Sequence, residues 1–248
     1  MDSKTPLLSV CIPVYDMHGV GHVFLKHSLD ILRKQTFTDF NVIISDYSQT
    51  DLIKNLCDKY KNFLNLTYHK NLDPAGGMSA NTNNAITHAT GQLIKIIFQD
   101  DFLYNEKSLE VIVQNFDLSN DHWLVTACEH SKDGITFFRP FYPQYNDKIH
   151  LGNNTISSPS VLTIKNESPL LLFDTKLKWL MDCDYYKRCY DAYGPPKIVN
   201  TITVVNRVGA HQISNTEATE ALKKNEYQYI LDKYKIGMKY WWRSIIKK

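Results

Sequence analysis

Four short apolar runs, each closed by turn-forming residues, punctuate the first hundred positions. They begin near Leu8 (Leu-Ser-Val-Cys-Ile-Pro-Val), Phe40 (Phe-Asn-Val-Ile-Ile-Ser), Leu64 (Leu-Asn-Leu-Thr-Tyr) and Leu93 (Leu-Ile-Lys-Ile-Ile-Phe), and they read as β-strands. Between them, Leu25, Leu29 and Leu32 at i, i+4 and i+7 predict an amphipathic helix, and Leu52, Leu56 and Phe63 predict a second one. Such alternation predicts an α/β fold with a mostly parallel central sheet and helices on both faces. Ligands of such sheets bind beyond the carboxyl ends of the strands. Three polar exits, Pro13-Val14-Tyr15-Asp16, Ser45-Asp46-Tyr47-Ser48 and Gln99-Asp100-Asp101, are therefore expected at one edge.

The pattern changes after Asp101. Leu109, Val113 and Phe116 predict a helix and Trp123 to Cys128 a strand. The Pro/Asn/Tyr-rich stretch from Arg139 to Pro159 is too polar for a core and suits a substrate-facing loop. Val161 to Ile164 and Ile198 to Val205 look like further strands, and Trp179 to Tyr193 like a helix stopped by Gly194-Pro195-Pro196. Near the C-terminus, Met238, Trp241, Trp242 and Ile245 share one helical face, with Lys239, Arg243 and Lys247 on the other. That stripe fits either packing onto the sheet or peripheral contact with a membrane surface.

Composition narrows the function classes. At 248 residues, 43% hydrophobic and 22% charged, the chain can bury a substantial core. A formal net charge of +2, with both signs interspersed, gives no broad basic face, so no nucleic-acid partner is expected. The five cysteines are widely spaced without a Cys-x-x-Cys pair and read as reduced thiols. With no apolar leader and no run near the ~20 residues that cross a bilayer, a cytoplasmic protein is expected.

The sharpest chemical feature is Asp100-Asp101 at a strand end. Adjacent carboxylates repel each other unless a cation lies beside them, and their hard oxygens suit Mn²⁺ or Mg²⁺. A solvated acidic turn is the other reading.

Taken in order, several segments resemble the family 2 glycosyltransferases. Ser9-Val10-Cys11-Ile12-Pro13-Val14-Tyr15 is similar to that family's opening strand and nucleotide loop, and Ser45-Asp46-Tyr47-Ser48-Gln49-Thr50-Asp51 to its second motif. Asn81, Ala85, Ala89, Gly91 and Leu93 follow its central helix into the metal strand, and Asp182 with Arg188 keeps the spacing of its base segment. The resemblance covers about Leu8 to His211 and implies the GT-A fold, a Rossmann-type sandwich. It divides the chain into a domain over residues 1–215, donor-binding to about 104 and acceptor-binding beyond, with a helical extension over 216–248.

The implied reaction is metal-dependent sugar transfer, with inversion, from a UDP-, GDP- or dTDP-linked donor to a hydroxyl of a glycan, lipid-linked or small acceptor. Pro13, Val14, Tyr15, Asp46, Asn81, Gln99 and Asp101 would contact the donor, with Asp46 accepting from the base and Tyr15 stacking on it. Asp100, Asp101 and His211 would hold Mn²⁺ or Mg²⁺. Asp182 would be the base that takes the acceptor proton, a role worth ~10²–10⁴ in rate. Asp184 is its nearest rival, and simple helix capping is the alternative for Asp182. The helix dipole there favours the anion and weakens the base, whereas burial acts the other way.

The chain also departs from the family. Phe98 stands at the first carboxylate of the Asp-x-Asp motif, Ser45 at the first Asp of the second motif, Met181 at the Glu beside the base and Ala80 at a frequent Arg. A sugar nucleotidyltransferase would show a Gly-rich loop where Pro13-Val14-Tyr15-Asp16 stands. A silent nucleotide-sugar-binding module remains open because of Phe98.

Overall fold

A computed structural model describes residues 5–73, 77–209 and 218–236. Its elements run β1 (Leu8–Val14), α1 (Gly21–Leu32), β2 (Phe40–Asp46), α2 (Leu52–Tyr60), β3 (Leu66–Lys70), α3 (Gly77–Thr87), β4 (Leu93–Ile96), β5 (Phe102–Leu103) and α4 (Ser108–Gln114). There follow β6 (Trp123–Ser131), β7 (Phe137–Phe141), β8 (Leu162–Lys165), α5 (Met181–Tyr193), β9 (Lys197–Arg207) and α6 (Glu220–Lys233). His211 and the amphipathic tail from Met238 lie outside the described residues.

Every residue of β1 is buried, as a strand covered on both faces must be. It pairs in parallel with β2 on one side and β4 on the other, and β2 pairs in parallel with β3. Helices α1 and α2 pack on each other, while α3 packs on β1 and β2. The chain reverses direction across the sheet between β3 and β4, so a right-handed crossover carries α3 to the opposite face. The strand order is β3-β2-β1-β4-β8-β6-β9-β5, with β7 paired to β6. Beyond β4 the sheet is mixed. β6 runs parallel to β9, whereas the β4–β8, β6–β8 and β5–β9 pairs are antiparallel.

The α/β sandwich is the expected one, and two local readings need correction. Helix α2 buries Ile53, Cys57 and Tyr60, while Leu52 and Phe63 are exposed and Phe63 lies beyond the helix end under the Arg33 guanidinium. Leu52-Leu56 and Ile53-Cys57 share the same i, i+4 spacing, so periodicity alone could not choose the buried pair. The 139–159 stretch, expected to be too polar for a core, also contributes to one. Ile149 and Ile156 are fully buried, and the short turn Ile149–Leu151 packs on α5.

Candidate active site

The sheet order places β1 between β2 and β4, so connections leave its two sides in opposite directions and open a crevice at the strand ends. A cavity of about 650 Å³ lies there, bounded by Tyr15 after β1, Phe98–Asp101 after β4, Asn154 and Ser157–Pro159, Lys178, Trp179, Met181 and Asp182, and Asn206–Val208.

Neutral side chains tie the strand exits together. Gln99 grips Tyr15 from both sides, its Oε1 accepting from the Tyr15 N–H at 2.9 Å and its Nε2 donating to the Tyr15 carbonyl at 3.0 Å. Gly21 is pressed onto this clasp, and a Cβ there would collide with the Tyr15 carbonyl oxygen. Asn81 Nδ2 donates to the Val14 carbonyl at 2.9 Å, and its Oδ1 accepts from Ser45 Oγ at 2.6 Å and Asn71 Nδ2 at 3.2 Å. Asp46 is fully enclosed, accepting from the Ser48 N–H at 2.8 Å and the Tyr68 hydroxyl at 2.7 Å. Of the expected donor contacts, Tyr15, Gln99 and Asp101 therefore line the cavity, while Pro13, Val14, Asp46 and Asn81 form the framework behind it.

Both acidic residues after β4 reach the cavity. Asp101 is buried, accepting from the Arg207 N–H at 2.9 Å and the Ser158 hydroxyl at 3.1 Å. Burial, and after it the neighbouring Asp100, push its carboxyl up to about 7. On β4, fully buried Lys95 donates Nζ to the Ser160 carbonyl and, at 3.4 Å, to that of Leu162. Desolvation brings Lys95 down to about 7, against the pull of Asp101. Oxygens from two adjacent carboxylates suit a divalent cation, whose charge would offset the repulsion between them. Among the described residues no group of three His, Cys, Asp or Glu forms a ligand cluster, and His211 lies outside them.

Asp182, the second residue of α5, stands on the cavity wall. Its Oδ2 accepts from Asn154 Nδ2 at 2.6 Å and its Oδ1 from the Cys183 N–H at 2.7 Å. Asn154 is itself aimed, because its Oδ1 accepts from the Ile156 and Ser157 amides at 3.0 and 2.9 Å. Burial raises the Asp182 carboxyl to about 6, outweighing the amide and Asn154 donors that act in the opposite direction. The Asp182 carboxylate is therefore made more basic, not less, by its place. Asp184 is fully buried elsewhere, bound by Arg188 at 2.8 Å, Lys233 at 2.8 Å and the Tyr234 hydroxyl at 2.9 Å. Arg188, six positions after Asp182, is thus committed to Asp184.

Sequence reading passed over Arg207, which lines the cavity with Asn206, His130, Arg139, Lys178 and Trp179. Its Nε donates to the Asp100 carbonyl at 3.2 Å, and its terminal nitrogen meets His27 Nδ1 at 2.9 Å. The guanidinium lies over the Phe24 and Phe102 rings, 4.9 and 5.3 Å from their centroids. His27 accordingly belongs to this cage. A polar pair closing an apolar run, Asn206-Arg207 at the end of β9, is the same signal that drew attention to Asp100-Asp101.

The family model for glycosyl transferase family 2 matches residues 9–173. Poly(ribitol-phosphate) beta-N-acetylglucosaminyltransferase TarS of Staphylococcus aureus is 30% identical over 100 residues, 40% of this chain and 17% of TarS. GalNAc(5)-diNAcBac-PP-undecaprenol beta-1,3-glucosyltransferase of Campylobacter jejuni is 30% identical over 105 residues, 40% of this chain and 31% of that enzyme. The chain thus matches only a minor part of the length of these relatives. In three dimensions, TarS residues 1–349 in complex with UDP superpose with a TM-score of 0.63 at 20% identity, covering 97% of this chain and 75% of that one. Mannosyltransferase PcManGT of Pyrobaculum calidifontis, in complex with GDP-Man and Mn²⁺, gives 0.61 at 16% identity, covering 84% and 58%. At these identities the likeness is one of fold.

Proposed function

Since the chain belongs to glycosyl transferase family 2, we propose that it moves a sugar from a nucleoside-diphosphate donor to an acceptor hydroxyl, with inversion and with help from Mn²⁺ or Mg²⁺. The observation that carries this reading is Asp182. It is a carboxylate raised to about 6 and aimed by Asn154, on a cavity that also presents Asp100, Asp101 and Arg207.

The acceptor hydroxyl gives its proton to Asp182 as its oxygen bonds the anomeric carbon, and the carbon–oxygen bond to the diphosphate breaks in the same displacement. A basicity near neutrality suits a group that must take that proton and later release it. The leaving diphosphate carries away the bonding electrons, and the Arg207 guanidinium supplies fixed positive charge on the same cavity. Asp100 and Asp101 would hold the divalent ion, which when bound supplies further neutralisation of that charge. Gln99, by fixing the Tyr15 backbone, sets the floor on which the nucleotide would rest.

TarS has been solved with UDP and with UDP-GlcNAc, which makes uridine nucleotides the first donors to try. The names of the relatives point to an acceptor on a polymer or lipid-linked glycan. No helix of the described residues is long and apolar enough to cross a membrane. Contact with a membrane surface would fall to the tail from Met238.

Release of free nucleoside diphosphate from a panel of nucleotide sugars with Mn²⁺, in the parent and in Asp182→Asn, tests the reading. Turnover should fall by about 10²-fold or more in the variant, with donor binding retained in calorimetry. Near-native turnover would refute Asp182 as base, and donor binding without turnover in the parent would mark a silent binding module.

A further inference from the structure

Glu226 lies within α6 and is only 3% exposed. A buried carboxylate requires partners, and Glu226 finds them on another segment. One oxygen accepts from the amides of Lys178 at 2.8 Å and Trp179 at 3.3 Å, the other from Trp179 at 3.0 Å and Leu180 at 2.8 Å. Three consecutive amides converging on one anion form a nest. The nest sits immediately ahead of α5, so the strap it fixes carries Lys178 and Trp179 on the cavity wall and leads directly into Met181 and Asp182.

Helix α6 is anchored on both sides of the strap. Lys233 reaches Asp184 at 2.8 Å and Asp174 at 2.7 Å, the Tyr229 hydroxyl donates to Asp174 at 2.8 Å, and the Tyr234 hydroxyl donates to Asp184 at 2.9 Å. The family match ends at residue 173, so none of this clamp belongs to it.

We propose that Glu226 is a positioning residue for the transfer reaction, fixing both the place and the basicity of Asp182 through the 178–180 strap. This rests on Asp182 being the base. The amino end of α5 carries partial positive charge, which on its own would make Asp182 a weaker base. The Glu226 anion, set against the amides that extend that same end, cancels this field without itself touching substrate. Other charged or titratable groups share the cavity with Asp182: Asp100 and Asp101 after β4, His130 on β6, Arg139 on β7, Arg207 on β9 and Lys178 on the strap. On its own helix, Cys183 and Tyr186 feel the Asp182 charge. Of these, Lys178 rides on the strap that Glu226 holds, whereas Asp100, Asp101, His130, Arg139 and Arg207 stand on segments outside that strap.

Glu226→Gln in the full chain keeps the shape and removes the charge. The acidic limb of the kcat–pH profile should move down by about half a unit to one unit, the size of a helix-end charge effect. Turnover at pH 8 should fall about three- to tenfold, with donor KM unchanged because the Tyr15–Gln99 wall is untouched. Glu226→Asp, which keeps the charge but draws it back, should return the limb to its parental position at reduced kcat.

A parental limb and kcat in Glu226→Gln would overturn the inference, even with a lowered Tm, since that is the pattern of a purely structural cap. If Glu226→Gln does not fold, Glu226→Asp decides. A parental limb with lowered kcat supports the inference, and parental kcat overturns it. Asp182→Asn, assayed alongside, separates the two levels. A silent Asp182→Asn with an unmoved limb in Glu226→Gln defeats only the role of Glu226, whereas an active Asp182→Asn defeats the base assignment beneath it.

Discussion

The two flanks of the cavity are built by different means. On the side of β1, β2 and β4, neutral amides and hydroxyls tie the strand exits to one another, with Asn81, Ser45 and Gln99 lashing three of them together and the Asp46 carboxylate holding only Ser48 and Tyr68 beside them. On the side of α5, buried carboxylates do it: Asp182 with Asn154, Asp184 with Arg188 and Lys233, and Glu226 with the strap amides. Neutral ties fix geometry and are indifferent to pH. Ionic ties fix geometry too, but they make the protonation state of the wall depend on how well it is packed. A surface that only grips a nucleotide needs the first kind, and one that must move a proton gains from the second.

Asp184→Ala probes the contrast most severely. It takes the carboxylate partner from Arg188 and one of two from Lys233 beside a fully buried vacancy, and removing one member of a buried ionic group costs about 3–5 kcal/mol. Urea denaturation should show that loss, and a change below about 1 kcal/mol would mean that the ionic flank is not what holds α5 and α6 together. Asn81→Ala should cost less, about 1–3 kcal/mol, for the buried Val14, Ser45 and Asn71 groups left unpaired. If it proves the costlier of the two, the contrast is inverted. The third effect is one of pH. The Asp182 carboxyl is raised to about 6 in the folded chain from an ordinary value near 4, so between those values the folded state binds the additional proton and stability falls as pH rises. Asp182→Asn should therefore become more stable relative to the parent from pH 4 to pH 6 and level off above. A pH-independent difference would show that the carboxyl is not raised.

The contrast also explains what could be read in advance. Strands β1, β2 and β4 announced themselves as continuous apolar runs, because a strand buried on both faces has no polar side to break the run. The stripe of α2 was misassigned because Leu52-Leu56 and Ile53-Cys57 are equally periodic, and only packing against α1 selects the second. Asp182 could be located through its spacing from Arg188, although Arg188 turns out to serve Asp184. Arg207 and Glu226 were out of reach for a different reason. Arg207 meets Asp101 across 106 positions, and Glu226 meets Leu180 across 46. Nothing in the local string Lys-Lys-Asn-Glu-Tyr-Gln distinguishes a buried carboxylate from a solvated one. Asp46 shows the converse, a motif residue whose carboxylate is spent on Ser48 and Tyr68 in the framework.

Lys95 carries a practical consequence. Desolvation lowers the pKa of the Lys95 amine, so in the folded chain it favours its neutral form more than a surface lysine does. It is also sealed at the centre of the sheet. Acylating reagents can modify it only in molecules whose sheet has opened, which makes the rate of its modification a built-in clock for the rarest fluctuations of the fold.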